Sequence, residues 1–279
     1  MRVLVFLDGT VADPDAPAVR ADDLGLLRGD GIFETVLVAG GVPRELDAHL
    51  ARLVRSAEML DLPRPDVDAW RRCVHVVLDN WRGPGEFAVR LNYTRGVDSA
   101  GPPTAYALAT DIPAHTIELR RLGVSAITLE RGIDTELAGR APWLLLGAKT
   151  LSYAVNMAAI REATRRGADE VIFIANDGTV LEGPTSTVVI ATGRTLYTPP
   201  AQLGILPGTT QAALFLAAEL AGWTTKIEPL TVDDLHTADG VFLASSVRKI
   251  TRVHTLDGRP LATRDGLAAE LDRLYESRY

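Results

Sequence analysis

Apolar residues recur at intervals of three and four in an early segment of the chain. The residues that follow this spacing are Leu46, Leu50, Leu53, Ala57 and Leu60. The spacing places them on one face of a helix that stops before Pro63. A second helix is predicted over 66–81, and the alternating pattern of 87–93 predicts a half-buried strand.

The rest of the chain mixes short β-rich runs with a few helical segments. Strands are predicted over 2–7, 32–38, 105–110, 124–129, 171–175, 179–182, 187–191, 195–198, 224–228, 240–244 and 250–255. Helices are predicted over 153–166 and from 207 to about 220. Asn176-Asp177-Gly178 is a strong signal for a hairpin turn. Because helices and strands do not alternate strictly, the pattern favours an α+β fold over a doubly wound parallel sheet.

The segment 111–123 is the best candidate for a joint between two domains. It follows a predicted strand, contains Pro113 and precedes a new β-rich run that starts at Val124. We therefore expect a small domain over 1–112, a linker over 113–123 and a larger domain over 124–279.

Composition and charge narrow the classes of protein. The 279 residues are 47% hydrophobic and 23% charged, which is typical of a well-packed chain and excludes disordered, collagen-like and coiled-coil classes. The formal net charge of −7 argues against a nucleic acid or an anionic membrane as partner. Cys73 is the only cysteine, so an intramolecular disulfide is excluded. The apolar run 3–7 is too short for a signal peptide, and we expect a cytoplasmic protein.

Several short motifs that would indicate a particular chemistry are missing. No G-x-G-x-x-G follows a predicted strand, and no G-x-S-x-G elbow is present. The five histidines are scattered without a pair at metal-ligand spacing, so no metal site is predicted.

Lys149 is the first residue that suggests a chemistry. It lies among apolar residues, directly before the predicted helix that carries Tyr153, one turn further on. An apolar environment destabilises the ammonium form, and the free amine is the form that attacks an aldehyde. The alternative is a lysine whose stem is buried and whose amine reaches solvent.

Three further segments are candidates for ligand contacts. Glu182 follows the hairpin and is a possible acceptor for an N–H group, or only a turn residue. Thr209 and Thr210 open a helix and fit either an anion site or an ordinary helix cap. Ser245-Ser246 ends a predicted strand and indicates little alone.

Taken together, these segments resemble the class IV aminotransferase family of pyridoxal 5′-phosphate (PLP) enzymes. The motifs that carry the resemblance are Gly29-Asp-Gly-Ile-Phe-Glu-Thr35, His49-Leu-Ala-Arg52-Leu, Lys149-x-x-x-Tyr153-x-x-Asn156, 178–187 and Leu206-Pro-Gly-Thr-Thr210. The resemblance covers nearly the whole chain. It implies a small α+β domain, a larger β-barrel-like domain with helices, and a homodimer that acts on small molecules.

The resemblance also implies roles for individual residues. Lys149 matches the lysine that bonds to the cofactor aldehyde and moves protons, and Glu182 matches the carboxylate at the pyridine nitrogen. Residues that match the other cofactor contacts are Arg52, Tyr153, Thr187, Thr209, Thr210 and Ser246. Many relatives have Asn where this chain has Thr187.

Within the family, the chain most resembles the 4-amino-4-deoxychorismate lyases, which form 4-aminobenzoate, a folate precursor, and pyruvate. Thr35 offers a catalytic hydroxyl where branched-chain aminotransferases carry Gly, although it also fits as an ordinary strand residue. Possible contacts for the substrate are Arg28, Arg90, Arg248 and Ser245. Each arginine also fits as a surface or strand residue. The alternative activity is transamination of D-amino acids or branched-chain amino acids with a 2-oxo acid.

Overall fold

The computed structural model describes all 279 residues, Met1–Tyr279. The chain divides into two compact units. The first comprises Met1–Pro113 and Ala148–Tyr153, and the second comprises Ala114–Gly147 and Ala154–Tyr279. Each unit has helices packed on its own sheet, which confirms the predicted α+β class.

The first unit is built on a six-stranded antiparallel sheet of order β2-β1-β6-β5-β3-β4. Its elements are β1 (Arg2–Phe6), β2 (Val11–Ala12), α1 (Leu24–Arg28), β3 (Gly31–Ala39), β4 (Val42–Pro43), α2 (Leu46–Met59), α3 (Val67–Asn80), β5 (Phe87–Thr94) and β6 (Thr104–Asp111). The predicted helices over 46–60 and 66–81 are confirmed as α2 and α3.

Strand β3 positions side chains on both faces of this sheet. Successive side chains of a strand point to opposite faces, so Ile32, Glu34 and Val36 share one face while Phe33 and Thr35 share the other. The first three are fully buried, and α2 packs against β3. A carboxylate therefore lies within an otherwise apolar row of the core.

The second unit contains an eight-stranded sheet of order β11-β10-β9-β12-β13-β7-β8, with β14 paired to β13, and this sheet forms a half-barrel. Its elements are α4 (Ala114–Leu122), β7 (Val124–Glu130), α5 (Leu137–Arg140), α6 (Ala154–Arg165), β8 (Glu170–Ile174), β9 (Thr187–Thr192), β10 (Thr195–Thr198), α7 (Thr209–Leu220), β11 (Thr224–Ile227), α8 (Val232–Thr237), β12 (Gly240–Ser245), β13 (Lys249–Leu256), β14 (Arg259–Pro260) and α9 (Leu267–Glu276). The pairs β10–β11, β13–β7 and β7–β8 are parallel, and the others are antiparallel.

Both faces of this sheet are buried along β9. Along β9, Val188 and Ile190 join a core cluster that includes Leu235 of α8. Val189 and Ala191, on the opposite face, join a second cluster with residues of α7 and α9. The near-continuous apolar run of β9 is typical of a strand that is covered on both sides.

The structure corrects the sequence predictions in three segments, apart from the helices α1, α5, α8 and α9, which the pattern did not predict. The helix predicted from Tyr153 begins at Ala154, so the expected relation of Lys149 and Tyr153 as neighbours one helical turn apart is wrong. The segment 179–182 forms isolated bridges rather than a strand, although its turn at Gly178 is confirmed. The segment 113–123 contains α4, and the domain limits 1–112 and 124–279 stay predictions. No helix of the protein has the length and apolar character that spanning a membrane requires.

Candidate functional site

A buried ion cluster, defined as Glu34, His49 and Arg52, lies between β3 and α2 in the first unit. The Nε of Arg52 donates to Oε1 of Glu34 at 2.8 Å, and its Nη2 donates to Oε2 at 2.7 Å. The Nδ1 of His49 lies 2.7 Å from the same Oε2. His49 and Arg52 are three residues apart on α2, so both side chains reach the face that covers β3.

The charges of this cluster support one another. Burial alone would raise the pKa of Glu34, but Arg52 and His49 outweigh it and hold that pKa below its usual range. Burial lowers the pKa of His49, against the opposing effect of Glu34. His49 is therefore neutral near pH 7, and because an ionised carboxylate only accepts hydrogen bonds, Nδ1–H of His49 donates to Glu34.

Lys149 belongs to the first unit through its backbone. Its carbonyl accepts a hydrogen bond from the Phe33 N–H at 3.0 Å, and its own N–H donates to Oγ of Ser56 at 3.1 Å. Ser56 lies on α2, four residues after Arg52, and is buried. The side of α2 that holds Arg52 thus also fixes the backbone of Lys149.

The side chain of Lys149 lies on an aromatic surface. Its Nζ is 4.6 Å from the centroid of the Phe33 ring and 5.8 Å from that of Tyr153. The two rings meet edge to face with centroids 5.2 Å apart. Aromatic faces attract a cation, and they also keep water from the side of the amine that faces the rings. The amine is therefore held in partly apolar surroundings.

One face of the sheet in the first unit carries Phe33, Thr35, Arg90, Asn92 and Tyr106, and we call it the outer face. On this face Phe33 contacts a second cation, Arg90. The guanidinium carbon of Arg90 is 3.9 Å from the Phe33 ring centroid, and its Nε donates to Oδ1 of Asn92 at 3.0 Å. Thr35 pairs with Arg90, and Asn92 pairs with both Phe33 and Tyr106. Directly paired residues share a face, so an amine, a guanidinium and two hydroxyls project from one surface.

In the second unit, Glu182 is held by two donors. Nη1 of Arg131 donates to its Oε1 at 2.8 Å, and the backbone N–H of Leu206 donates to its Oε2 at 2.9 Å. The carbonyl of Glu182 accepts the Phe173 N–H, which fixes the main chain as well. The carboxylate is thus fixed in orientation by two charge-assisted hydrogen bonds.

An anion cradle, defined as Thr187, Gly208, Thr209 and Thr210, surrounds the start of α7. Gly208 is the N-cap and supplies no side-chain acceptor, so the first N–H groups of the helix have no intrahelical partner. The Oγ1 of Thr210 is buried without a hydrogen-bond partner. A Cβ at Gly208 would lie 2.3 Å from Oγ1 of Thr187, so a side chain there would have to displace that hydroxyl. The N-terminal N–H groups of the helix and the unsatisfied hydroxyl suit a bound anion.

The turn between β12 and β13 carries Ser246 and is held by three contacts. Arg120 of α4 donates to the carbonyl of Val247, Arg248 pairs with Glu170, and Lys249 pairs with Glu276 of α9. Nη2 of Arg248 also donates to Oγ1 of Thr185 at 3.2 Å. The guanidinium of Arg248 is therefore engaged by its own unit.

The structure brings together several of the residues predicted from sequence. Lys149, Tyr153, Thr35 and Arg90 meet around Phe33 in the first unit. Within the second unit, Thr187, Thr209 and Thr210 form the anion cradle. Ser245 ends β12, and Arg28 is exposed at the end of α1. No group of histidine, cysteine and carboxylate side chains is arranged to hold a metal ion.

Sequence reasoning gave no role to Glu34 and His49, which lie within two of the quoted motifs, and did not single out Ser56 or Arg131. Glu34 had a signal, because it is the only charged residue within the apolar run 32–38. The number of lysines is a signal for Lys149 rather than for these four residues, since the chain has only three lysines and the other two are Lys226 and Lys249. Nothing in the sequence distinguishes Arg131 from the other arginines.

Comparison with known proteins was consistent across sequence and structure. The amino-transferase class IV family model matches residues 31–256. A bifunctional aminodeoxychorismate lyase / D-amino acid transaminase from Mycobacterium tuberculosis is 49% identical over 268 residues, which are 93% of this chain and 93% of that protein.

Two solved structures are similar over nearly the whole chain. The PLP-bound form of a hypothetical aminotransferase from Mycobacterium tuberculosis has a TM-score of 0.96 and 48% identity, with 99% of this chain and 98% of that chain covered. A fold IV transaminase from Curtobacterium pusillum has a TM-score of 0.94 and 40% identity, with the same coverage.

Proposed function

The chain belongs to the class IV aminotransferase family and is a PLP-dependent enzyme, and from this premise we propose that it is a 4-amino-4-deoxychorismate lyase. The reaction releases 4-aminobenzoate and pyruvate. One observation carries the proposal. The amine of Lys149 lies on the Phe33 ring of the outer face, and the same face holds the guanidinium of Arg90, a receptor for a carboxylate, and the hydroxyl of Thr35. The bifunctional relative from Mycobacterium tuberculosis supports the same activity.

The anion cradle fits the phosphate of the cofactor. The unsatisfied Oγ1 of buried Thr210 and the N-terminal N–H groups of α7 are donors that a phosphate dianion would satisfy. We assign Thr187, Thr209 and Thr210 to the phosphate end. Arg52 and Ser246 receive the same assignment from the family resemblance.

Glu182 fits the ring nitrogen of the cofactor. Arg131 and the Leu206 N–H hold the carboxylate in one orientation, so a protonated ring nitrogen would find an oriented acceptor. We assign Tyr153 to the ring oxygen of the cofactor, because its ring packs edge to face on Phe33 and lies beside the amine of Lys149.

The bound cofactor supplies an electron sink that makes the hydrogen next to the substrate amine acidic. Lys149 Nζ would hold the cofactor covalently at rest. Once the substrate amine takes the place of Lys149 on the cofactor, the freed Nζ would accept the proton from the ring carbon that bears the substrate amine. The Thr35 hydroxyl would pass a proton to the enolpyruvyl methylene and would regain one from the ammonium that Lys149 then carries. The ether C–O bond then breaks, pyruvate leaves, and the ring becomes aromatic, so the products contain all atoms of the substrate.

The substrate carries two carboxylates, and Arg90 is the receptor we propose for one of them. Its Nε is held by Asn92, which orients the planar guanidinium for bidentate contact. Arg248 is a weaker candidate because Glu170 and Thr185 already engage it. Arg28 and Ser245 remain proposed contacts from the resemblance alone.

Transamination of D-amino acids is a second candidate activity, because the relative that is 49% identical is named for both reactions. The two activities share the amine, the cofactor and a carboxylate receptor. They differ in that transamination needs a 2-oxo acid acceptor.

We also propose a homodimer, as the family resemblance implies. Several apolar side chains of the second unit are exposed in the single chain, as expected of a surface that a second copy covers: Trp143, Leu144, Val155 and Met157. Light scattering at several protein concentrations measures the mass, and a mass of one chain throughout would contradict this assembly.

The test of the reaction is to supply 4-amino-4-deoxychorismate to the purified holoenzyme with no oxo acid. Equal amounts of 4-aminobenzoate and pyruvate are expected. A parallel sample receives D-alanine with 2-oxoglutarate. Turnover in that sample alone would overturn the lyase and leave the transaminase, and turnover in both would assign both activities.

A further inference from the structure

Glu34 is a fully buried titratable group that the proposed reaction does not use. Its neighbours on the same face of β3, Ile32 and Val36, are fully buried apolar residues. An isolated carboxylate in such a place is unfavourable, and it is tolerated only where partners compensate the charge. Here Arg52 and His49 supply three hydrogen bonds to it.

The geometry of the pair determines where Arg52 presents its other donors. Glu34 takes the Nε and Nη2 edge of the guanidinium with two parallel hydrogen bonds. A guanidinium is planar, so two such bonds fix its plane as well as its position. The opposite edge, formed by Nη1 and Nη2, is then turned in one direction, away from Glu34.

His49 makes the arrangement rigid. Its Nδ1 lies 2.7 Å from Oε2 of Glu34, the same oxygen that accepts from Nη2 of Arg52. The carboxylate therefore cannot rotate without losing a bond to α2. All three side chains are buried, so water does not replace a lost bond.

We propose that Glu34 is a positioning residue that aims Arg52 at the cofactor phosphate, with His49 holding Glu34 in place. The inference rests on the proposed assignment of Arg52 to the phosphate. Glu34 does not itself touch the cofactor. It reduces the freedom that the arginine would lose on binding the phosphate, and it thereby increases affinity for the phosphorylated cofactor only.

The test compares PLP with pyridoxal, which lacks the phosphate. Dissociation constants of both are measured for the apoprotein as wild type, Glu34→Gln, Arg52→Gln and the double variant. Arg52→Gln is expected to weaken PLP binding about tenfold or more and to leave pyridoxal binding unchanged. Glu34→Gln is expected to weaken PLP binding about tenfold, again without an effect on pyridoxal. In the Arg52→Gln background, Glu34→Gln should add no further loss.

Glu58→Gln is the matched control, because Glu58 likewise pairs with an arginine, Arg64, but lies exposed on α2. It should change neither constant. If Glu34→Gln does not give folded protein, Glu34→Asp replaces it, since the shorter carboxylate keeps the charge but not both bonds to Arg52. The same selective loss of PLP affinity is expected.

Two results would overturn the inference. Equal weakening of PLP and pyridoxal binding in the Glu34 variant would show a general structural role. Unchanged PLP binding in that variant, with PLP affinity lost in Arg52→Gln, would show that Arg52 needs no positioning. Unchanged PLP binding in Arg52→Gln is a separate outcome, because it contradicts the assignment of Arg52 itself.

Discussion

Lys149 and Phe33 contact each other through both backbone and side chain. The Phe33 N–H donates to the Lys149 carbonyl at 3.0 Å, and the Lys149 Nζ lies 4.6 Å from the centroid of the Phe33 ring. The bridge between Ile32 and Thr150 continues the pairing. The segment that carries the amine is thus attached to the edge of β3, and the reactive group is placed by this strand and by Ser56 of α2 rather than by the first turn of α6.

Thr35 is expected to matter for the lyase reaction more than for transamination. Thr35→Val keeps the shape but removes the hydroxyl, and loss of a proton donor lowers rates by about 10²-fold or more. We predict this loss in kcat for 4-aminobenzoate formation, with transamination of D-alanine little changed. Thr35→Ser retains a hydroxyl and should retain most of the lyase rate. An unchanged lyase rate in Thr35→Val would remove Thr35 from the mechanism.

Gly208 is expected to tolerate no side chain. Its φ of −75° suits any residue, so the obstacle is the contact of a new Cβ with Oγ1 of Thr187 at 2.3 Å. Gly208→Ala should destabilise the protein by about 1–3 kcal/mol and weaken PLP binding. Adding Thr187→Ala, which removes the hydroxyl, should restore part of the stability.

Gly139 provides the control for this substitution. A Cβ there meets no atom within 4 Å and Gly139 lies in α5, so Gly139→Ala should not lower the unfolding temperature and should leave PLP affinity unchanged. If Gly208→Ala behaved like Gly139→Ala in both measurements, the close packing of the anion cradle would be refuted.

Arg131 is expected to act through Glu182. Arg131→Met removes the donor to Oε1 and leaves a largely buried carboxylate with one fewer partner. We predict about a tenfold loss of kcat, since a less firmly oriented acceptor holds the ring proton less well. Reduction with borohydride should still attach the cofactor. Arg131→Lys keeps a charge and should give an intermediate rate, whereas equal rates for all three proteins would contradict this role.

Stability is expected to fall with pH in two steps because of the buried ion cluster. His49 has a lowered pKa in the folded state, so its contribution is complete above the ordinary value of 6.5 and is lost as the pH falls below it. Glu34 also has a lowered pKa, so its contribution is lost as the pH falls below 4.5. A loss of ~1 kcal/mol corresponds to about 2–4 °C in Tm.

His49→Gln separates the two steps. The glutamine amide can donate to Glu34 but does not titrate, so the decline of Tm just below pH 6.5 should become shallower while the decline below pH 4.5 remains. Thermal unfolding across this pH range measures both. An identical slope in wild type and variant would show that His49 is not protonated on unfolding in this way.

Much of the fold could be predicted from periodicity alone. The spacing of apolar residues identified α2 and α3, and alternation identified β5. Helix α9 had an equally clear pattern, with Leu267, Leu271 and Tyr275 buried at intervals of four, and it was not predicted. The last turn of α9 fixes the turn after β12 through the ion pair of Glu276 with Lys249. These two residues lie far apart in the sequence, so their contact leaves no local signal.

The candidate site was harder to predict where tertiary contacts override local pattern. The spacing of Lys149 and Tyr153 suited a helical turn, but hydrogen bonds to Gly31 and Phe33 draw the segment into the sheet instead. Likewise, Arg52 could be assigned from a motif, while its pairing with Glu34 depends on the packing of α2 on β3. Sequence spacing carries no direct information on either contact.

The most direct measurement is the site at which borohydride fixes the cofactor. The chain has three lysines, and Lys226 and Lys249 serve as internal controls. Lys249 is paired with Glu276, and Lys226 lies 5.4 Å from the ring centroid of Tyr197. Peptide mapping of the reduced protein should find the pyridoxyl group on Lys149 alone, and Lys149→Ala should abolish both the adduct and turnover. An adduct on Lys226 or Lys249, or full activity in Lys149→Ala, would contradict the account.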